Sequence, residues 1–323
     1  MRVVHLVLSN AFAGIEQHVD ELLSNKLNDK PILICNDSIA DCFDKSISIY
    51  KIKNIGRRSL YGKYKLKKLL NKINPDIVHT HGSKTSSIIS SINNNRFKHV
   101  ATVHGIKKNK KVYEKADFII GVSQKTIDGL KNNVAVVTNW WNPSLNKFDH
   151  KKNEYALAIG RLEKVKGFDL LINSWANINT KLVIIGSGKE KNTLINMINS
   201  KGLNEKIRII DNVQKNELIS YYRNAKLLII SSRDEGGPRI ALEALYLEIP
   251  VLSTDVGLMS NILPKELLAN TNDLVSLQTL LEKYVDKIDT INQDAVFEFI
   301  TKDFSIDEKI SEIRDIYKSL LIS

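Results

Sequence analysis

Ser231-Ser232-Arg233-Asp234-Glu235-Gly236-Gly237-Pro238-Arg239-Ile240-Ala241-Leu242-Glu243-Ala244-Leu245 is the stretch on which the reading of this chain turns. It follows an apolar run, Leu227-Leu228-Ile229-Ile230, with the length and branching of a buried parallel strand. Gly236-Gly237 permit a turn without Cβ clashes, and Pro238 suits the first position of a helix. Glu235 is therefore expected at the C-terminal mouth of a strand, and Glu243 on a helix running from Arg239 to Leu247. Unpaired backbone N–H groups at the start of that helix suit an anionic or hydroxyl-rich ligand. Taken alone, two glutamates across a turn are also what a capped surface helix carries, so the surrounding sequence decides.

Upstream and downstream, short apolar runs alternate with helical segments. In the second half they are Tyr155–Gly160, Leu182–Ile185, Ile207–Ile210, Leu227–Ile230 and Val251–Ser253. In the first half they are Val3–Leu8, Pro31–Cys35, Ile47–Ile52, Ile77–His79, His99–Val103, Phe118–Val122 and Val134–Thr138. Such alternation is the signature of parallel sheets. Between the halves, Trp140 to Asn153 contains Pro143, several Asn and Lys and no periodic pattern, as an interdomain linker would. The chain reads as two doubly wound α/β domains, 1–150 and 151–304, with ligands expected between them at strand C-termini.

Composition excludes several classes. With 43% hydrophobic and 26% charged residues among 323, the chain is globular rather than disordered. The N-terminal run Val3–Leu8 is too short for a signal peptide, and no run reaches the roughly 18 to 20 apolar residues of a span, which predicts a cytoplasmic protein. Cys35 and Cys42 have no partner spacing for a metal set and are expected to stay reduced. The net charge of +11 is uneven: residues 1–150 hold 24 Lys and Arg against 12 Asp and Glu, residues 151–323 hold 23 against 24. Much of the excess sits between Lys51 and Lys72, where Lys and Arg are interleaved with Tyr and Leu and no acid occurs. Its second half is amphipathic, with Leu60, Leu66, Leu69, Leu70 and Ile73 broadly on one side. A solvated helix packed on a sheet explains the leucines, whereas contact with an anionic membrane surface, at roughly 1 kcal/mol per basic residue, also explains the charge.

Three further stretches carry chemistry. Gly14 closes the loop after the first strand, where a helix opens at about Ile15 and a ligand could approach the backbone closely. His81-Gly82 and His104-Gly105 each end a strand, placing imidazoles where a doubly wound fold has its crevice. Gly160-Arg161-Leu162-Glu163-Lys164-Val165-Lys166-Gly167 sets two cations beside a helix start, a diphosphate site in which Arg161 binds bidentately and Lys166 acts as a point charge. Gly186-Ser187-Gly188 follows the next strand, a weak nucleotide signal because Lys191 stands where a third glycine would be.

Taken in order, Gly14, His104-Gly105, Gly160-Arg161-Leu162 with Lys166-Gly167, and Glu235-Gly236 with Glu243 resemble the family 4 retaining glycosyltransferases of the GT-B fold, over nearly the whole chain. The resemblance implies two Rossmann-like domains facing across a crevice, the first binding acceptor, the second nucleotide sugar, with a helix at about 305–323 returning to the first. It implies a nucleotide-diphosphate sugar as donor and a saccharide or lipid-linked saccharide as acceptor, in surface polysaccharide or lipopolysaccharide assembly. The donor would be bound by Gly14, Arg161, Lys166, Gly186, Val213, Glu235, Gly236, Gly237 and Glu243. Arg161 and Lys166 would hold the diphosphate, Glu243 the ribose and Glu235 the sugar hydroxyls, while His104 lines the pocket. The chain has no Asp-x-Asp, so the resemblance implies catalysis without metal or cofactor, the departing phosphate oxygen serving as base.

Several positions depart from the family pattern: Ala13, Trp140, Asn212, Gly237-Pro238, Glu248, Leu258 and Asn261. The last two leave the donor sugar open. A nucleotide-sugar epimerase of the same fold is the competing enzyme class. Nucleic-acid binding is suggested only by the basic charge, without a recognition motif.

Overall fold

The computed structural model describes residues 1–322 except 26, 28, 107, 108, 132 and 149–153. The chain forms two compact units, Met1–Asn139 with Ile306–Ser323, and Trp140–Ser305. The boundary expected at 150–151 lies outside the described residues, and the division falls earlier because the expected linker is not loose at its start. Trp140 is fully buried, and Trp141, Leu145 and Phe148 pack on the second unit's core.

In the first unit β1 (Val3–Val7), β2 (Ile32–Asn36), β3 (Ser48–Ile52), β4 (Ile77–His81), β5 (Lys98–Val103), β6 (Phe118–Gly121) and β7 (Val134–Val136) form one sheet in the order β3-β2-β1-β4-β5-β6-β7. All pairings are parallel. The chain winds outward from β1 in one direction, then restarts at β4 in the other, so β1 and β4 flank the topological switch point. One face packs on the helix Leu60–Ile73 through Leu66, Leu70 and Ile73, beside Val4, Leu6 and Val78. The other carries Val7, Leu33 and Cys35 against Val19 and Leu23 of the helix Gly14–Ser24. Cys35 and Cys42 are both free thiols.

The second unit repeats the plan with β8 (Tyr155–Ile159), β9 (Lys181–Ile185), β10 (Ile207–Ile210), β11 (Ala225–Ile230), β12 (Val251–Thr254) and β13 (Leu268–Ala269), ordered β10-β9-β8-β11-β12-β13. Its switch point lies between β8 and β11. The strands read as continuous apolar runs because helices cover both faces. Leu157, Leu182, Ile184, Leu227 and Leu228 are fully buried, each worth about 1.5–3 kcal/mol of transfer free energy. The two-residue β13 was not visible in the sequence, since a period of two cannot be read over two residues.

Candidate active site

In the second unit two of the predicted residues, Lys166 and Glu235, meet at the switch point. β8 ends at Gly160, β9 at Gly186, and the two turns interlock: a Cβ on Gly186 would lie 1.8 Å from the Gly160 carbonyl oxygen. Gly167 has φ +65°, and a Cβ there would lie 2.0 Å from the Ser231 oxygen. Only glycine lets these backbones touch, and the result brings the loop after β8 against the loop after β11.

That contact sets Lys166 on Glu235. Their Nζ and Oε1 form a direct ion pair, with side chains 17% and 16% exposed. Ser232 Oγ donates to the same Oε1 at 2.9 Å. Arg161 lies in the same loop with its side chain 68% exposed, and it pairs with Glu163 at 2.8 Å. The arrangement is an ion pair at a strand mouth with an exposed guanidinium earlier in the same loop, cations of the kind that meet a diphosphate and a carboxylate that can accept from hydroxyls. Gly236 is buried and Gly237 half-buried before the helix Arg239–Tyr246. Val213, after β10, packs half-buried on the core. Glu243 is 8% exposed, and its Oε2 accepts from the Tyr222 hydroxyl at 3.0 Å. Burial and the adjacent Glu243 charge push the Tyr222 phenol well above its ordinary range.

Arg233 was present in the decisive stretch but had no role that spacing could reveal. It forks onto Asp169 at 2.6 and 2.8 Å and donates to the Lys164 carbonyl at 2.7 Å, tying the cationic loop to the β11 loop. Burial alone would raise the Asp169 carboxyl, but the Arg233 hydrogen bonds and charge, with Lys164, hold it below its usual range. Partners so far apart in sequence leave no local signal. Glu248, where the family pattern has glycine, adopts φ +62°, which explains that preference.

In the first unit Gly14 opens its helix and is exposed. A Cβ there would meet nothing within 4 Å, so the fold itself makes no demand for glycine. Glu16 caps that helix, accepting from the Ala13 N–H at 2.9 Å. His104, just past β5, is half-buried, and His18 of the same helix packs edge-on against it at 4.7 Å. His81 does not point into an open crevice as expected: with His5 and His79 it is buried, because register pairs His5 with His79 and alternation puts His79 and His81 on one face. Burial lowers His5 and His104 to about 3, and holds His79 and His81 well below the ordinary imidazole range. One nitrogen from each of His5, His79 and His81, or of His18, His81 and His104, lies within 4.8 Å of the others, a spacing that could admit a cation.

Two parallel, doubly wound units with their candidate residues at the strand mouths define the GT-B class of fold. The family model for glycosyl transferases group 1 matches residues 144–294, and that for glycosyl transferase 4-like proteins matches 10–130. An uncharacterized glycosyltransferase of Methanocaldococcus jannaschii is 25% identical over 338 residues, covering 95% of each chain. The amylovoran biosynthesis glycosyltransferase AmsD of Erwinia amylovora is 35% identical over 118 residues, 35% of this chain and 33% of its own. The Anabaena protein HepE, solved with UDP and glucose, superposes with a TM-score of 0.81 at 15% identity, over 99% of this chain and all (100%) of its own. The chain belongs to the group 1, family 4-type glycosyltransferases.

Proposed function

We propose that this chain is a retaining glycosyltransferase that moves a sugar from a nucleotide diphosphate to a saccharide or lipid-linked saccharide in polysaccharide or lipopolysaccharide assembly. The observation that carries it is the Lys166–Glu235 pair at the β8/β11 switch point, with the exposed Arg161 on the same β8 loop. As the glycosidic bond to phosphate breaks, negative charge grows on the diphosphate, and Lys166 and Arg161 meet it electrostatically. Glu235 accepts from sugar hydroxyls, holding the anomeric carbon in place as it becomes oxocarbenium-like. A departing phosphate oxygen takes the acceptor proton on the same face, so configuration is retained without a side-chain base. The name of AmsD supports a polysaccharide pathway, and the UDP bound to HepE supports a nucleotide donor. Neither favours epimerisation or nucleic-acid binding. The test is a thermal-shift screen against nucleoside diphosphates: a true donor nucleotide at about 100 times its Kd stabilises the protein by roughly 2.7 kcal/mol, and a flat response across all of them overturns the reading.

The acceptor side of the proposal includes a membrane surface. No helix among the described residues is long and apolar enough to cross a membrane. The helix Leu60–Ile73 instead leaves Leu60, Tyr61 and Tyr64 at 81%, 68% and 65% exposure among its lysines, with the Lys65 ammonium 4.5 Å from the Tyr61 ring centre. Leu60 was expected on the buried side, but it stands at the helix's first position, before the stripe made by Leu66, Leu70 and Ile73 begins. Apolar and aromatic side chains amid cations fit the interface of an anionic bilayer, where a lipid-linked acceptor would be met.

A further inference from the structure

We propose that His104 is held in a single tautomer by a hydrogen-bonded chain through the interior of the first unit, with His81, His5, Tyr317, His79 and Thr102 as its positioning residues. His104 Nε2 faces His81 Nδ1 at 3.1 Å, and His81 Nε2 faces His5 Nδ1 at 3.0 Å. His5 Nε2 lies 3.3 Å from the Tyr317 hydroxyl, supplied by the C-terminal helix Ile306–Ile322. The same hydroxyl lies 2.6 Å from His79 Nδ1, and His79 Nε2 ends the chain 2.7 Å from Thr102 Oγ1.

A neutral imidazole has one donor and one acceptor nitrogen, and the fully buried Tyr317 hydroxyl keeps its single proton paired by donating to one ring while accepting from the other. Every link must therefore run the same way, and the far end chooses the direction. Thr102 is 1% exposed, and among the described residues its hydroxyl has one hydrogen-bond partner, His79 Nε2. Were His79 the donor, the Thr102 proton would be buried and unpaired, leaving its desolvation uncompensated. Thr102 therefore donates to His79 Nε2, His79 Nδ1–H to Tyr317, the Tyr317 hydroxyl to His5 Nε2, His5 Nδ1–H to His81, and His81 Nδ1–H to His104 Nε2. All four histidines carry the proton on Nδ1, whereas in water the Nε2–H form predominates. The neutral forms this requires agree with the depressed pKa values of the four rings.

His104 thus presents Nδ1–H as a fixed donor. If the transferase reading holds, that donor is offered to a ligand hydroxyl, and an imidazole free to change tautomer would offer it only part of the time. The same count weighs against a cation among His5, His79 and His81: each already uses both nitrogens, so a metal there would have to break two hydrogen bonds.

The test is two-bond 1H–15N correlation on protein labelled at the imidazole nitrogens, with no substrate present, so that failure of the chain leaves the transferase reading to the nucleotide screen. His5, His79, His81 and His104 should all show a protonated Nδ1 and a bare Nε2. Thr102→Val should turn the His104 signals into those of a mixture, and Thr102→Ser should restore them. Tyr317→Phe, which keeps the ring and cuts the chain in the middle, gives the same mixture if Thr102→Val does not fold. A protonated Nε2 at any of the four rings in the unaltered protein, or His104 signals indifferent to both cuts, overturns the proposal. So does one equivalent of zinc in the purified protein that is lost in His79→Asn, which would make the cluster a metal centre.

Discussion

Lys166 and Glu235 come from loops 69 residues apart and meet as an ion pair at the mouths of β8 and β11, each side chain less than one-fifth exposed. In the free protein each charge answers the other. On the proposed reading a diphosphate sugar would divide them, the ammonium turning to phosphate and the carboxylate to hydroxyls, so that neither charge is left buried and alone in the free protein.

Lys166→Ala should therefore damage two properties and Glu235→Gln one. The alanine removes a preorganised cation, lowering kcat/KM by about 100- to 1,000-fold, and strands the carboxylate, lowering Tm. Glu235→Gln keeps an acceptor for Ser232 and should hold Tm within a few degrees while turnover falls. Melting curves and steady-state rates on both variants check this. Loss of the fold in Glu235→Gln would make the pair a structural brace.

Arg161 should separate catalysis from stability more cleanly. Its side chain is 68% exposed and pairs with the half-buried Glu163. Arg161→Ala is expected to leave Tm unchanged within error while removing about 3 kcal/mol of transition-state stabilisation. If Lys166 and Arg161 meet the leaving-group charge as proposed, EDTA should leave the unaltered enzyme's rate intact. Inactivation by EDTA that a divalent ion reverses would show that a metal shares the task.

The helix Leu60–Ile73 should bind anionic liposomes and release them as salt rises, because the Debye length falls from about 10 Å at 0.1 M to about 3 Å at 1 M. Sedimentation should show weaker binding when Leu60, Tyr61 and Tyr64 become Ser. Changing Arg57, Arg58, Lys65, Lys67 and Lys68 to Gln should weaken it further. Equal binding to neutral and anionic lipid would leave this helix as a solvated surface.

Acid should unfold the first unit before the second. A buried neutral histidine with a folded pKa near 3, as for His5, binds fewer protons than its unfolded form between about pH 6.5 and 3. Stability therefore falls as pH drops through that window, by up to roughly 1.4 kcal/mol per pH unit for that residue, and His79 and His81 add in the same direction. Tryptophan emission reports the second unit, because Trp140, Trp141 and Trp175 all lie in it. Amide protection factors at β1 and β4, corrected for the slower intrinsic exchange at lower pH, should fall between pH 7 and 5 before that emission changes. Simultaneous loss of both signals would count against this order.

The alternation of apolar runs was enough to place all seven strands of the first sheet and five of six in the second, because burial on both faces writes itself into consecutive residues. Glycines beside strand ends were equally legible at Gly160, Gly167 and Gly186, where backbone contact leaves no room for a side chain. Residue type also pointed to Lys166, Arg161 and Glu235 as chemistry. What tertiary structure alone decided is which of these meet. Register and the close approach of two loops set Lys166 on Glu235, and the Arg233–Asp169 fork locks those loops together. The histidines show the same division. His-x-His is plain in the sequence, but only the pairing of β1 with β4, and a C-terminal helix carrying Tyr317 onto that face, turns separate imidazoles into one hydrogen-bonded chain. Side-chain period is a local property of the backbone and can be read from residue order, whereas hydrogen-bond direction depends on partners that folding brings from opposite ends of the chain.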